Sequence, residues 1–488
     1  MTPKTTSPSV EEPPLSVFQS SESVLINQAQ AVITDLNQRL LPPSWRVSPE
    51  PFTISPRELV FIQKLGPALL KFYKAQNRCY LESVRGHQPP WISHYLDLGK
   101  PQQIVEYGRM NRIKNAFPGI IRPDLIVTSD GMMISELDSV PGGFGLTHQL
   151  NLSYEKIGFL TIGGRSGMTD GFRNMIRNTS PDLFEKENLR LGLVVSKESE
   201  DYLPEMTSFA KELNQTDFFA YLCRPEGLYY TEDGIFVKQE DSLIPLNVIY
   251  RFLELFDYKN IPKMDLLFYA SKKEKIVVTP PLKAFLEEKL WFALFHHPVL
   301  KLFWEKELGE ETFYFLKTLI PQTWILDPRE LPPYGVIPDL TFRKKAVSFW
   351  EELFDASQKE RRFVIKPSGF SELAWGARGV KIGHDLSNQE WRSSLKSALS
   401  LFSQTPCLLQ EFHQGRKDEF SYIDGENKSL VRMSGRTRLS PYYFTTVKGI
   451  ELGGILATTC PSDKKIIHGM VDAIMAPCRV NTSDKDNS

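Results

Sequence analysis

The sequence predicts a mixed α/β (α+β) protein with an N-terminal helical layer and a small parallel α/β domain. Three observations carry that expectation. Apolar residues recur at helical spacing from Val24 through Ile26, Ala29, Val32, Ile33 and Leu36 to Leu40. The dipeptide Asp130-Gly131, a hairpin turn signal, separates the strand-like runs Leu125–Val127 and Met132–Ile134. Finally, the apolar run 191–195, a helical stretch over 203–213 and the run 218–222 alternate as strand, helix and strand, the pattern of a parallel unit.

Taken in order, residues up to Pro14 are rich in Ser, Thr and Pro and read as a disordered tail, as do 481–488. Pro42-Pro43 ends the first helix. A second helix fits 55–84, with Leu59, Ile62, Leu65, Leu69, Phe72 and Tyr73 on one side. Residues 247–251 and 275–278 extend the parallel sheet. The stretch 282–319 is largely helical, and Pro321 closes it. Residues 362–366, 379–382 and 407–412 return to strand character. The resulting expectation is a tail (1–20), a helical region (21–120), a hairpin segment (121–185), the parallel domain (186–280), a larger α/β segment (281–480) and a second tail.

Composition narrows the function. The 58 Lys and Arg balance 59 Asp and Glu, so no global field favours nucleic acid or an anionic membrane. Five scattered cysteines without a Cys-x-x-Cys pair argue against a disulfide framework or a zinc site. With no apolar run of about 20 residues and no signal-peptide core at the N-terminus, a cytoplasmic protein is expected.

Chemistry concentrates in three pieces. Glu136 and Asp138 are two apart on a strand and share a face, and the hairpin brings Asp124 beside them. Three converging carboxylates repel unless cations neutralise them, and Mg²⁺ with its oxygen ligands is suited to that. Arg122, two residues before Asp124, is a fork donor for phosphate. The second piece is Lys366 at the end of the apolar run Phe363-Val364-Ile365, which needs an anionic partner. A loop rich in small residues follows, including Gly376 and Gly379, where backbone N–H groups can approach phosphates. The third is 406–412, whose polar end at Gln410, Glu411 and Phe412 suits an adenine edge, with Asp418 and Glu419 beyond as acids for ribose. Arg251 and the alternating Arg432, Arg436 and Arg438 are further candidate cations, and Thr458 and Thr459 candidate cleft residues.

Together these motifs resemble the ATP-grasp superfamily in a circularly permuted form. The string from Arg122-x-Asp124 to Glu136-x-Asp138-Ser139-x-Pro141-Gly142 is similar to the metal-binding end of D-alanine–D-alanine ligases, with Asp138 in place of their Asn. The segment 363–380 resembles their lysine strand and phosphate loop, 408–420 their hinge and ribose acid, and Lys289 sits where they carry a first ATP lysine. Here the metal motif comes first, an order similar to glutathionylspermidine synthase and its relatives. The resemblance implies ATP and Mg²⁺ as cofactors. Asp124, Glu136 and Asp138 would hold metal; Lys289, Lys366, Gly376, Gly379, Gln410, Glu411, Phe412 and Glu419 would hold nucleotide; Arg122 would serve the chemistry, with Arg251, outside the matched motifs, a candidate for the acceptor or phosphate side. It implies a ligase that converts a carboxylate to an acylphosphate for attack by an amine or thiol. A regulatory or scaffold protein on the same fold is the alternative, and a phosphotransferase that stops at the phosphorylated product is a third.

Overall fold

The computed structural model describes residues 15–40, 45–181, 189–215, 218–374, 376–424, 429–469 and 472–481. The N-terminal tail to Pro14, the Pro42-Pro43 helix stop and residues 482–488 of the C-terminal tail lie outside them.

A seven-stranded sheet is the platform. Its order is Phe52–Ile54, Ile474–Val480, Gly449–Pro461, Leu430–Thr446, Ile120–Thr128 and Gly131–Asp138, with Asp418–Ile423 also paired to Leu430–Thr446. Thr128 and Gly131 close the expected hairpin, and a bulge after Asp124 resets its register so that Asp124 faces Glu136 and Arg122 faces Asp138. The hairpin segment and the chain's last strands therefore belong to one sheet, a pairing that local periodicity could not show.

Alternation along these strands sorts the two faces. Leu439, Ile455 and Ala457 pack into a core with the helices Pro56–Val84, Leu290–His296 and Lys301–Leu308. Ser55 caps the first of these, its Oγ accepting from Glu58 N at 3.2 Å while the Glu58 carboxylate accepts from Ser55 N at 2.7 Å. Gly66 lets that helix lie on the sheet, since a Cβ there would come within 2.7 Å of the Tyr443 ring. On the other face Tyr442, Phe444 and Leu456 pack against the helices Phe144–Lys156 and Gly167–Thr179 and against the parallel domain.

That domain is a four-stranded parallel sheet in the order Val277–Thr279, Val248–Phe252, Arg190–Val195 and Phe219–Cys223, with Leu203–Leu213 as the helix of the predicted strand–helix–strand unit. Leu228–Tyr230, Ile235–Gln239 and Ser242–Pro245 add a small meander that the sequence reading did not anticipate. A third, antiparallel sheet runs Thr323–Ile325, Cys407–Glu411, Phe363–Pro367 and Lys381–Ile382, and so joins the lysine strand to the hinge strand. Among the described residues no helix is long and apolar enough to cross a membrane.

Candidate active site

The three bodies enclose a cleft of about 940 Å³, within the range of small-molecule sites. The hairpin forms one wall, and Lys366 and Lys289 reach in from the opposite side. Glu136 pairs with Lys289 at 2.7 Å. Burial pushes the Glu136 carboxyl up, but the charges of Lys289, Lys366 and Arg122 outweigh it and hold the group down at about 2. About 38% of its side chain is open, onto the cleft.

Lys366 Nζ donates to the Ser135 carbonyl at 2.8 Å and to Gln410 Oε1 at 2.9 Å. Its partners are neutral, so burial dominates and pushes the ammonium down to about 8, with Lys289 adding to that and Glu136 and Asp124 opposing it. Gln410 spends both ends of its amide on positioning, because its Nε2 donates to Thr323 Oγ1 at 3.0 Å. Lys289 also donates to the Ala374 carbonyl at 3.2 Å, which ties the loop after Pro367 to the hairpin.

Asp124 is present but engaged. It is 2% exposed, and its oxygens meet Arg122 Nε at 3.2 Å, Arg438 Nη1 at 3.0 Å and the Ser440 hydroxyl at 2.8 Å. Arg122 bridges on to Asp138 at 3.0 Å and to the Gly142 carbonyl at 3.1 Å. Burial raises the Asp138 carboxyl; Arg122 opposes this and Glu136 adds to it. Of the three hairpin carboxylates, Glu136 and Asp138 are thus the ones open to the cleft. Among the described residues no group of three His, Cys, Asp or Glu side chains is arranged to hold a metal alone. Two carboxylates on one face fit Mg²⁺ completed by phosphate oxygens.

Pro141-Gly142-Gly143 makes the turn out of the hairpin. Gly143 has φ +84°, a conformation glycine adopts without strain, and starts the helix Phe144–Lys156. Glu205, from the parallel domain, accepts from the N–H groups of Gly143 at 2.8 Å and Leu146 at 2.7 Å. Its burial in the cleft wall pushes the carboxyl to about 7 against the pull of those two N–H groups. Glu205→Ala strands both donors and is expected to cost about 2–4 kcal/mol of folding free energy, measured by urea denaturation.

The other expected residues divide. Gly376, with φ +59° and open space at its Cβ position, lines the cleft. Trp375, in the same loop, lies outside the described residues. Gly379 is a packing glycine: a Cβ would sit 2.6 Å from Pro367, and the residue is away from the cleft. Glu411 and Phe412 line the cleft at the hinge, yet their N–H groups already donate to the Gln322 and Arg362 carbonyls at 2.9 and 3.0 Å. Glu419 points out of the sheet and is exposed, and Asp418 pairs with Arg416 at 2.8 Å, so neither acid lines the cleft. Arg251 does not reach the cleft either; it is fully enclosed, donating to the carbonyls of Pro280, Leu253 and Pro281 and to Glu287. Arg438 and Thr458 do line it, while Arg436 is buried against the Gly415 carbonyl. Glu205, Glu254 and Glu287 are cleft acids that the sequence reading missed. Glu205 sits in the first turn of the helix Leu203–Leu213, where an acid reads as ordinary helix-end chemistry, and Glu254 follows a strand, so neither was marked as a site residue.

No family model and no curated protein matches the chain. Among solved structures it is similar to a glutathione synthetase-like effector (GSS30) from Globodera pallida in apo form, with a TM-score of 0.56 and 12% identity over 94% of this chain and 98% of that one. A protein from Methylobacillus flagellatus provisionally named gamma-glutamylcysteine synthetase overlaps with a TM-score of 0.36 and 13% identity over 80% of this chain and 83% of that one, a level from which no shared fold follows. The first likeness and the sheets above establish a mixed α+β fold that this chain shares with that effector over nearly its whole length.

Proposed function

We propose that the cleft binds ATP with Mg²⁺ and activates a substrate carboxylate as an acylphosphate for attack by an amine or thiol, on a circularly permuted ATP-grasp scaffold. The observation that carries this is the convergence of Lys289 and Lys366 on the hairpin edge that bears Glu136 and Asp138, two cations beside two carboxylates that are partly open to one cleft. In this reading the lysines take the phosphates, and Ser135 and Gln410 hold Lys366 in place. Glu136 and Asp138 hold Mg²⁺, which when bound supplies neutralising charge for the transferring phosphoryl group. Asp124 orients Arg122 and Arg438 instead of binding metal.

In the first step a substrate carboxylate oxygen attacks the γ-phosphorus, and the bond to the ADP oxygen breaks. The amine or thiol then attacks the acyl carbon, the carbon–oxygen bond to phosphate breaks, and phosphate leaves with the nucleophile's proton. The enclosed lysines are aimed where negative charge gathers, so they stabilise it without reorganising. A regulatory nucleotide-binding role rests on one observation: clamping of Asp124 leaves a reduced metal set.

The test is calorimetry of Mg–ATP binding. Lys366→Ala is expected to weaken it by about a hundredfold, as loss of a buried charge-assisted contact does. An unchanged affinity would remove the nucleotide reading. Lys366 also gives a pH signature. Below about 8 it is charged in the free protein; above that, binding must take up a proton, and affinity falls about tenfold per pH unit until the complex's own pKa is reached. Lys366→Arg should abolish this slope. Hydroxylamine trapping of an acylphosphate in a metabolite extract distinguishes a ligase from a binding protein.

A further inference from the structure

The same cleft extends over the large sheet, along a part of its wall, here called the chamber, to which the nucleotide reading assigns no contact. Its floor is a single row across four strands. Ile126 stands opposite Arg438, Arg438 opposite Thr458, and Thr458 opposite Met475, and all four line the cleft. The bridge between Arg46 and Ile474 extends the row and brings Trp45 to the far wall, in the apolar cluster that includes Leu146, Leu456 and Met475.

Among the described residues, three polar groups on this wall are buried without a partner: Arg438 Nε, Thr458 Oγ1 and Trp45 Nε1. Each is a hydrogen-bond donor, and one belongs to a permanent cation. Asp124 meets Arg438 at Nη1, at 3.0 Å, while Nε is left unanswered. Buried donors are costly when unpaired, so Arg438 Nε and Thr458 Oγ1, on directly paired residues of the cleft wall, specify an acceptor-rich, anionic ligand group. The apolar wall beside them specifies an apolar body attached to that group. A phosphate or a second nucleotide satisfies the first requirement but not the second. A polyamine satisfies neither.

We propose that this chamber holds the acyl acceptor and that the acceptor is an apolar α-amino acid. Its carboxylate meets Arg438 and Thr458, and its side chain lies against Trp45, Leu146, Leu456 and Met475. Its role as acceptor rests on the ligase reading; its binding does not. Glycine would satisfy the donors but leave the wall bare. Burial of a leucine-sized side chain is worth about tenfold to a hundredfold in affinity, so Trp45 and Leu146 set specificity and Arg438 and Thr458 set the class.

The test titrates the full chain with L-leucine, glycine and L-leucinamide by calorimetry, with and without Mg–AMP-PNP. Leucine is expected to bind at least about tenfold more tightly than either glycine or leucinamide. Leu146→Trp, which fills the chamber, and the near-isosteric Thr458→Val should each weaken leucine at least about tenfold while AMP-PNP affinity stays, which shows that the variants fold. Equal binding of glycine and leucine, equal binding of leucinamide, or no amino-acid binding overturns the proposal. Leucine binding without AMP-PNP binding would uphold the chamber and sink the nucleotide reading.

Discussion

Replacing Arg251 with Met is expected to lower the folding free energy by about 3–5 kcal/mol, the cost of breaking one side of a buried ion pair. The side chain is 0% exposed, and its Nε, Nη1 and Nη2 donate to the carbonyls of Pro280, Leu253 and Pro281 at 2.8, 3.0 and 3.0 Å, with Glu287 as a further partner. Met fills much of the volume but leaves three carbonyls and a carboxylate unanswered. Burial already pushes the Glu287 carboxyl up, so without Arg251 it would protonate more readily still. Urea denaturation measures the loss, and Arg251→Met with Glu287→Leu should recover part of it. Unchanged stability with lost substrate turnover would return Arg251 to the reaction, where the sequence reading had put it.

The second large effect is on metal dependence. For the native protein, chelating Mg²⁺ is expected to weaken ATP binding by about a hundredfold. A phosphate charge about 5 Å from a carboxylate costs about 3 kcal/mol at an effective dielectric near 20, and Glu136 and Asp138 both face the cleft. In the double variant Glu136→Gln, Asp138→Asn that repulsion is gone, and affinities with Mg²⁺ and with EDTA should agree to within about threefold. Calorimetry in the two buffers decides it. A double variant that keeps the hundredfold difference would mean that the metal is held elsewhere.

Much of the fold was legible because its signals are short-range. The hairpin at Asp130-Gly131, the helix starting after Ser55 and the strand–helix–strand unit from Arg190 to Cys223 all appear where turn chemistry and periodicity put them. Lys366 was legible as a lysine that an apolar strand must account for. Glu419 was misread as a ribose acid because it follows the hinge strand in sequence; pairing of its own strand with Leu430–Thr446 turns it outward. Gly379 looked like phosphate loop and is packing, since Pro367 occupies the space a side chain would need. Arg251 read as a cation at a strand end, and nothing nearby in the chain announced the carbonyls of residues 280 and 281 that surround it.

The sequence by itself determined which charges this protein owns and which of them share a strand face: Arg122 with Asp124, and Glu136 with Asp138. Turn and strand geometry act over a few residues, so those relations do not depend on the rest of the chain. Only the tertiary structure decided which charges are spent on one another. Asp124 is held by Ser440, 316 residues away, and by Arg438, while Glu136 is left facing Lys289. A carboxylate's availability to a metal depends on how far it is desolvated and which cations lie within a few ångströms. Both are set by strands that meet only when the sheet closes.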